Sequence, residues 1–173
     1  VAYSTFSLIH VNNEGKGFLY EFDNPQAIYY HKGKCIDFER EKLEIYEKPV
    51  YKSELNLEEN DVIMVMSDGT IHAGIGQILN FGWERRQIMD YLDRNIKSTM
   101  SARAVACILT SACNDLYLDK PGDDTTVAAV KIRPRLNVNI MVGPPVDKEK
   151  DNFYVEQFLD GADKTIVCGG TSS

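Results

Sequence analysis

The chain has 173 residues, 43% of them hydrophobic and 26% charged, with a net charge of -7. That balance suits one globular domain, or one domain plus a fragment of another, with enough apolar side chains to bury a core. It argues against nucleic acid and anionic membrane surfaces, which reward clustered Lys and Arg, and its apolar runs are too short to span a bilayer.

From Ser4 to Val11 the sequence is rich in β-branched and aromatic residues, and it leads into Asn12-Asn13-Glu14-Gly15-Lys16-Gly17, a hairpin connection. Phe18–Phe22 is the return strand. The Asp23-Asn24-Pro25 turn precedes a strand over Ala27–His31, and Lys32-Gly33-Lys34 turns into Cys35–Phe38. Short strands with turn chemistry between them predict an antiparallel meander. Glu39–Asn60 is more charged and is expected to hold one or two further short strands and a loop. Val62–Ser67 is apolar without alternation, which predicts a strand buried on both faces.

The period then changes. Ile88, Leu92 and Ile96 place one stripe on a helix over Glu84–Ile96. Val105, Leu109, Ala112, Cys113 and Leu116 do the same over Ser101–Leu116, with Ser101 as N-cap. Lys120-Pro121-Gly122 ends that helix, and Val127–Ile132 is a second central strand closed by Arg133-Pro134. Strands followed by paired helices and one more central strand predict an α+β domain with helices over an antiparallel sheet. Beyond Pro134, a strand around Val138–Val142, a helix over Lys148–Leu159 and a strand over Thr165–Cys168 read as βαβ, too small to stand alone. The expected division is 1–134 and 135–173, the second part being the beginning of an appended α/β region. Both ends, Val1 and Thr171-Ser172-Ser173, read as cut.

Two acidic marks adjoin the central strands: Ser67-Asp68-Gly69 at the exit of one, and Gly122-Asp123-Asp124 at the entrance of the other. If those strands are antiparallel neighbours, Asp68 and Asp123 converge at one sheet edge. Converging carboxylates repel unless a cation or a shared proton compensates them, and as hard oxygen donors they suit Mg²⁺ or Mn²⁺ better than zinc. Either motif alone is also an ordinary turn; their order, with two helices between, is the more specific signal.

Val62–Gly69, the two helices, and Pro121-Gly122-Asp123-Asp124-Thr125-Thr126-Val127 resemble the metal-dependent phosphatases of the protein phosphatase 2C superfamily. Within it they are most similar to the branch typified by stage II sporulation protein E. The resemblance covers roughly Ser4 to Arg133 and implies an antiparallel β-sandwich flanked by helices with two Mn²⁺ or Mg²⁺ ions at one end. The implied reaction is hydrolysis of phosphoserine or phosphothreonine by a metal-activated water. It makes Asp68 and Asp123 metal ligands, Asp124 the residue that orients its neighbour, and Gly69 the point of close backbone approach. The implied substrate is a phosphorylated regulatory protein, in that branch an anti-sigma-factor antagonist, in the cytoplasm. The family also carries an upstream Gly-Asp whose carboxylate bridges both metals, and Val1-Ala2-Tyr3 leaves no room for it. The expectation is therefore a chain that holds one ion or none and is an inactive fragment of a competent parent. The other class of function compatible with these residues is a non-catalytic module that keeps the fold to bind partners.

Other residues carry weaker signals. His72, four residues after Asp68, reads as a solvated or hydrogen-bonded structural histidine with phosphate contact as the alternative. Cys107 and Cys113 lie on or beside their helix's apolar stripe and read as packing groups. Cys35 and Cys168 complete a scattered set without C-x-x-C spacing, as in a reducing compartment. Glu84-Arg85-Arg86 reads as a solvated helix face, and Tyr29, Tyr30, Phe81 and Trp83 as core or rim. Gly143-Pro144-Pro145 and Gly169-Gly170-Thr171 match no phosphate-loop pattern and read as turns, with a nucleotide-binding role as the alternative.

Overall fold

The computed structural model describes residues 4–143 and 146–169. They fall into two compact units, Val1–Arg133 and Pro134–Ser173.

The first unit contains two four-stranded antiparallel sheets. Strands β1 (Phe6–Val11), β2 (Lys16–Phe22), β5 (Glu41–Ile45) and β6 (Lys48–Asn56) form one, in the order β1-β2-β6-β5. Strands β3 (Ile28–His31), β4 (Lys34–Ile36), β7 (Val62–Met66) and β8 (Val127–Lys131) form the other, in the order β4-β3-β7-β8. Helix α1 (Gly69–His72) is a single turn that follows β7, and α2 (Arg85–Asn95) and α3 (Ala102–Leu116) are the longer ones.

Because side chains alternate along a strand, β7 serves two cores at once. Ile63 faces the other sheet with Leu19, Ala27, Leu55 and Leu57. Val62, Met64 and Met66 face the helices with Ile28, Tyr30, Leu92, Val105 and Leu109. That double burial is why β7 reads as an unbroken apolar run. The helices present the stripes expected of them: Ile88, Met89 and Leu92 on α2, and Val105, Leu109, Ala112 and Cys113 on α3. Ser101 Oγ accepts from Ala104 N at 3.2 Å to cap α3, and Glu84 and Gln87 form a reciprocal capping box on α2.

The meander expectation is corrected. β1 pairs with β2 and β3 with β4, but β2 goes on to β6 while β3 goes on to β7. Between β2 and β3 the chain leaves one sheet for the other. Asp23 takes a positive φ of 54° there. Glu21, 1% exposed, accepts from Ala27 N at 2.6 Å and lies 3.3 Å from Arg40 Nε, which pins the crossing from inside. The charged stretch after Glu39 holds two strands, and β6 is long, nine residues.

The second unit is a βαβ arrangement: β9 (Val138–Val142), a short 3-10 turn (Lys148–Lys150), α4 (Asp151–Leu159) and β10 (Lys164–Cys168). β9 and β10 run parallel, with Ile140 opposite Ile166. None of the described α4 residues is buried, as expected where a single crossover has too little apolar partner surface.

Candidate metal centre

β7 and β8 are antiparallel neighbours, with Met66 opposite Val127. The exit of one strand and the entrance of the other therefore lie at one edge. Ser67 stitches that edge together: its N–H donates to Thr126 O at 3.0 Å, its Oγ donates to Asp124 O at 3.0 Å, and the same Oγ accepts from Thr126 N at 2.9 Å. The approach is so close that a Cβ on Gly69 would sit 2.5 Å from Asp124 O and 2.8 Å from Thr125 Oγ1. Tyr117, at the end of α3, donates to Gly69 O at 2.8 Å, which ties the helix pair to the same point. Burial pushes its phenol above the ordinary value, and Asp123 and Asp68 add to the rise.

Asp68 stands at the N-cap of α1, yet its carboxylate makes no capping hydrogen bond and so remains open to another partner. Asp123 is half-exposed, and Asp124 N–H donates to its Oδ1 at 2.8 Å. This contact from Asp124 to its neighbour is made by the backbone. One turn of helix beyond Asp68, His72 completes the group, with Nδ1 3.6 Å from Asp123 Oδ2. Ligand atoms of Asp68, His72 and Asp123 all lie within 4.8 Å of one another. Two carboxylates and an imidazole at that separation are a donor set that fits a divalent cation.

His72 is the member that sequence reasoning set aside. The available signal was its i+4 relation to Asp68, which matters only if a helical turn starts at Gly69. His72 also lines an open groove of about 420 Å³ with Ile71, Phe81 and Trp83. Trp83 and Tyr30 are buried, Tyr29 is partly buried, and Phe81 is 88% exposed. Arg85 departs from the solvated-face expectation: its guanidinium donates to Gln26 O at 3.0 Å and to Asp37 Oδ1 at 2.8 Å. Cys113 is buried as expected, whereas Cys107 is exposed. Pro144, Pro145, Gly170 and Thr171, the core of the two glycine-loop readings, and Val1-Ala2-Tyr3 lie outside the described residues.

A second polar cluster escaped the sequence reading. At the opposite end of β7, Asp61 is 2% exposed and accepts from Tyr29 Oη at 2.5 Å and Glu58 N at 2.7 Å, with His31 Nδ1 at 2.8 Å. Burial and the Asp61 contact push the Tyr29 phenol well above its ordinary value.

No family model and no curated protein matches the chain. Solved structures do. The phosphatase domain of the cell fate determinant SpoIIE from Bacillus subtilis, presoaked with Mn, aligns with a TM-score of 0.63 at 16% identity, covering 77% of this chain and 58% of that one. The same domain in a crystal form without domain swapping gives 0.62 at 16% identity, covering 75% and 56%. The RsbU and RsbW domains of a Mycobacterium tuberculosis protein give 0.57 at 16% identity, covering 89% and 43%. The chain thus spans less than two thirds of each of these structures. Among the described residues, no helix is long and apolar enough to cross a membrane. Two antiparallel sheets with helices packed on one of them, aligned with those domains, make this the PP2C-like fold of the SpoIIE-type phosphatases.

Proposed function

We propose that the chain is part of a Mn²⁺- or Mg²⁺-dependent serine/threonine phosphatase, with Asp68 and Asp123 as its metal ligands. The observation that carries this reading is the convergence of the two carboxylates at the β7–β8 edge of a PP2C-like fold, beside His72. A divalent ion held there supplies Lewis acidity toward a phosphoryl oxygen and a water of lowered pKa. The chain's own residues do the holding. Ser67 locks the two strand ends, Gly69 admits the Asp124 carbonyl and the Thr125 hydroxyl, and Asp124 N–H fixes one oxygen of Asp123.

The proposed substrate is phosphoserine or phosphothreonine on a cytoplasmic regulatory protein, in the SpoIIE-like branch an anti-sigma-factor antagonist. The proposed division places the phosphatase-like domain in residues 1–134 and an appended α/β unit in 135–173, close to the two compact units of the fold. One cluster of this kind among the described residues supports one ion for this chain, where the complete domain takes two. Turnover by the chain alone is therefore expected to lie far below that of a complete SpoIIE-type domain assayed alongside. The test is phosphate release from a phosphoserine peptide in Mn²⁺, comparing the chain with Asp123→Asn. The reading predicts that any release requires Mn²⁺ and disappears in the variant. Release that persists unchanged in Asp123→Asn would remove the site from the chemistry.

A further inference from the structure

Resting on the metal-ligand reading of Asp68 and Asp123, we infer that His72 is the third protein ligand of that ion and makes the site select a first-row transition ion such as Mn²⁺ over Mg²⁺. Two donors on one ion with bonds of about 2.1 Å stand roughly 3.0 Å apart when adjacent and about 4.2 Å apart when opposite. The His72 Nδ1–Asp123 Oδ2 separation of 3.6 Å falls inside that range. The 4.8 Å limit on the full set leaves only a small side-chain rotation for half-exposed groups. At 3.6 Å the imidazole and the carboxylate are too far apart to be hydrogen-bonded. Both keep a ligand atom within 4.8 Å of one on Asp68.

Local structure holds His72 there. Its backbone N–H donates to Asp68 O at 3.0 Å, so the single turn of α1 stacks the imidazole beside the Asp68 carboxylate. The chemistry then separates the metals. Mg²⁺ takes oxygen donors in a strict octahedron and keeps its waters, whereas imidazole nitrogen suits the later first-row ions best and Mn²⁺, the weakest binder of that row, gains less from it but more than Mg²⁺ does. Two carboxylates alone discriminate weakly; adding one nitrogen tilts the site. The chain has three histidines, and the other two are elsewhere: His10 lies on β1 and His31 is engaged with Asp61. A nitrogen signal from a bound ion is therefore assignable.

The experiment is pulsed electron paramagnetic resonance of Mn²⁺ bound to the chain, with competition by Mg²⁺, repeated for His72→Ala and His72→Gln. Folding of each variant is checked by circular dichroism. The inference predicts imidazole nitrogen coupling in the wild type and none in either variant. In His72→Ala, Mn²⁺ affinity falls about tenfold or more while Mg²⁺ affinity changes much less. In His72→Gln, an oxygen donor restores part of the binding without the Mn²⁺ preference. Bound Mn²⁺ with no nitrogen coupling, or coupling that survives in His72→Ala, overturns the role of His72 and leaves the two-carboxylate site standing. Failure of the wild type to bind Mn²⁺ at all overturns both.

Discussion

Replacing Gly69 by Ala is the sharpest structural perturbation of the metal edge. The added Cβ would stand 2.5 Å from Asp124 O, about 0.5 Å inside the 3.0 Å that Cβ contacts respect, and 3.0 Å from Asp124 C. Those atoms are backbone, so no rotamer change relieves the overlap; the Asp123–Thr125 segment itself must retreat. Overpacking of this kind costs about 1–3 kcal/mol, and each kcal/mol lowers Tm by about 2–4 °C in a chain of this length. The retreat also carries Asp123 away from Asp68 and weakens Mn²⁺ binding. Gly122→Ala is the matched control, because a Cβ there meets only Tyr117 Cε1 at 3.6 Å, an ordinary contact. Thermal unfolding and Mn²⁺ titration of the two variants make the comparison. Gly69→Ala should lose both stability and affinity, and Gly122→Ala should keep both. Indistinguishable variants would refute the close-approach reasoning.

Two further outcomes follow from the same geometry. Ser67→Ala removes the hydroxyl that bonds both Asp124 O and Thr126 N, and denaturant unfolding should show a loss of about 1–2 kcal/mol together with weaker Mn²⁺ binding. The Cys113 thiol, which burial pushes up to about 11, should resist alkylation at neutral pH while exposed Cys107 reacts, as read by mass spectrometry of the native chain. Its folded pKa exceeds the ordinary value of 9.0, so its contribution to stability is complete below about pH 9 and fades as pH rises through about 11. Cys113→Ala should flatten the stability curve in that window.

What was legible in the sequence is what depends on local pattern. The unbroken apolar run of β7 betrays burial on both faces, and the three- and four-residue steps of α3 betray its stripe. The meeting of Asp68 and Asp123 was legible only conditionally, since it needed β7 and β8 to be antiparallel neighbours although their facing residues, from Met66 with Val127 to Val62 with Lys131, are further apart in the chain than those of any other strand pair among the described residues. Partner choice is a long-range property, which is why β2 and β3 read as consecutive meander strands although each belongs to a different sheet. The Tyr29–His31–Asp61 cluster was hidden for the same reason: its members are ordinary residues until β3 and β7 pair. His72 was hidden by a different cause. A one-turn helix has no periodicity to read, so the step from Asp68 to His72 carried no visible meaning.

The central claim is that Asp68 and Asp123 together hold a divalent ion, and calorimetric titration with Mn²⁺ tests it most directly. The account predicts one site in the chain, absent in the Asp68→Asn/Asp123→Asn double variant, with circular dichroism unchanged because both groups lie on the surface. Two tight sites in the chain, or binding that survives the double substitution, would contradict it.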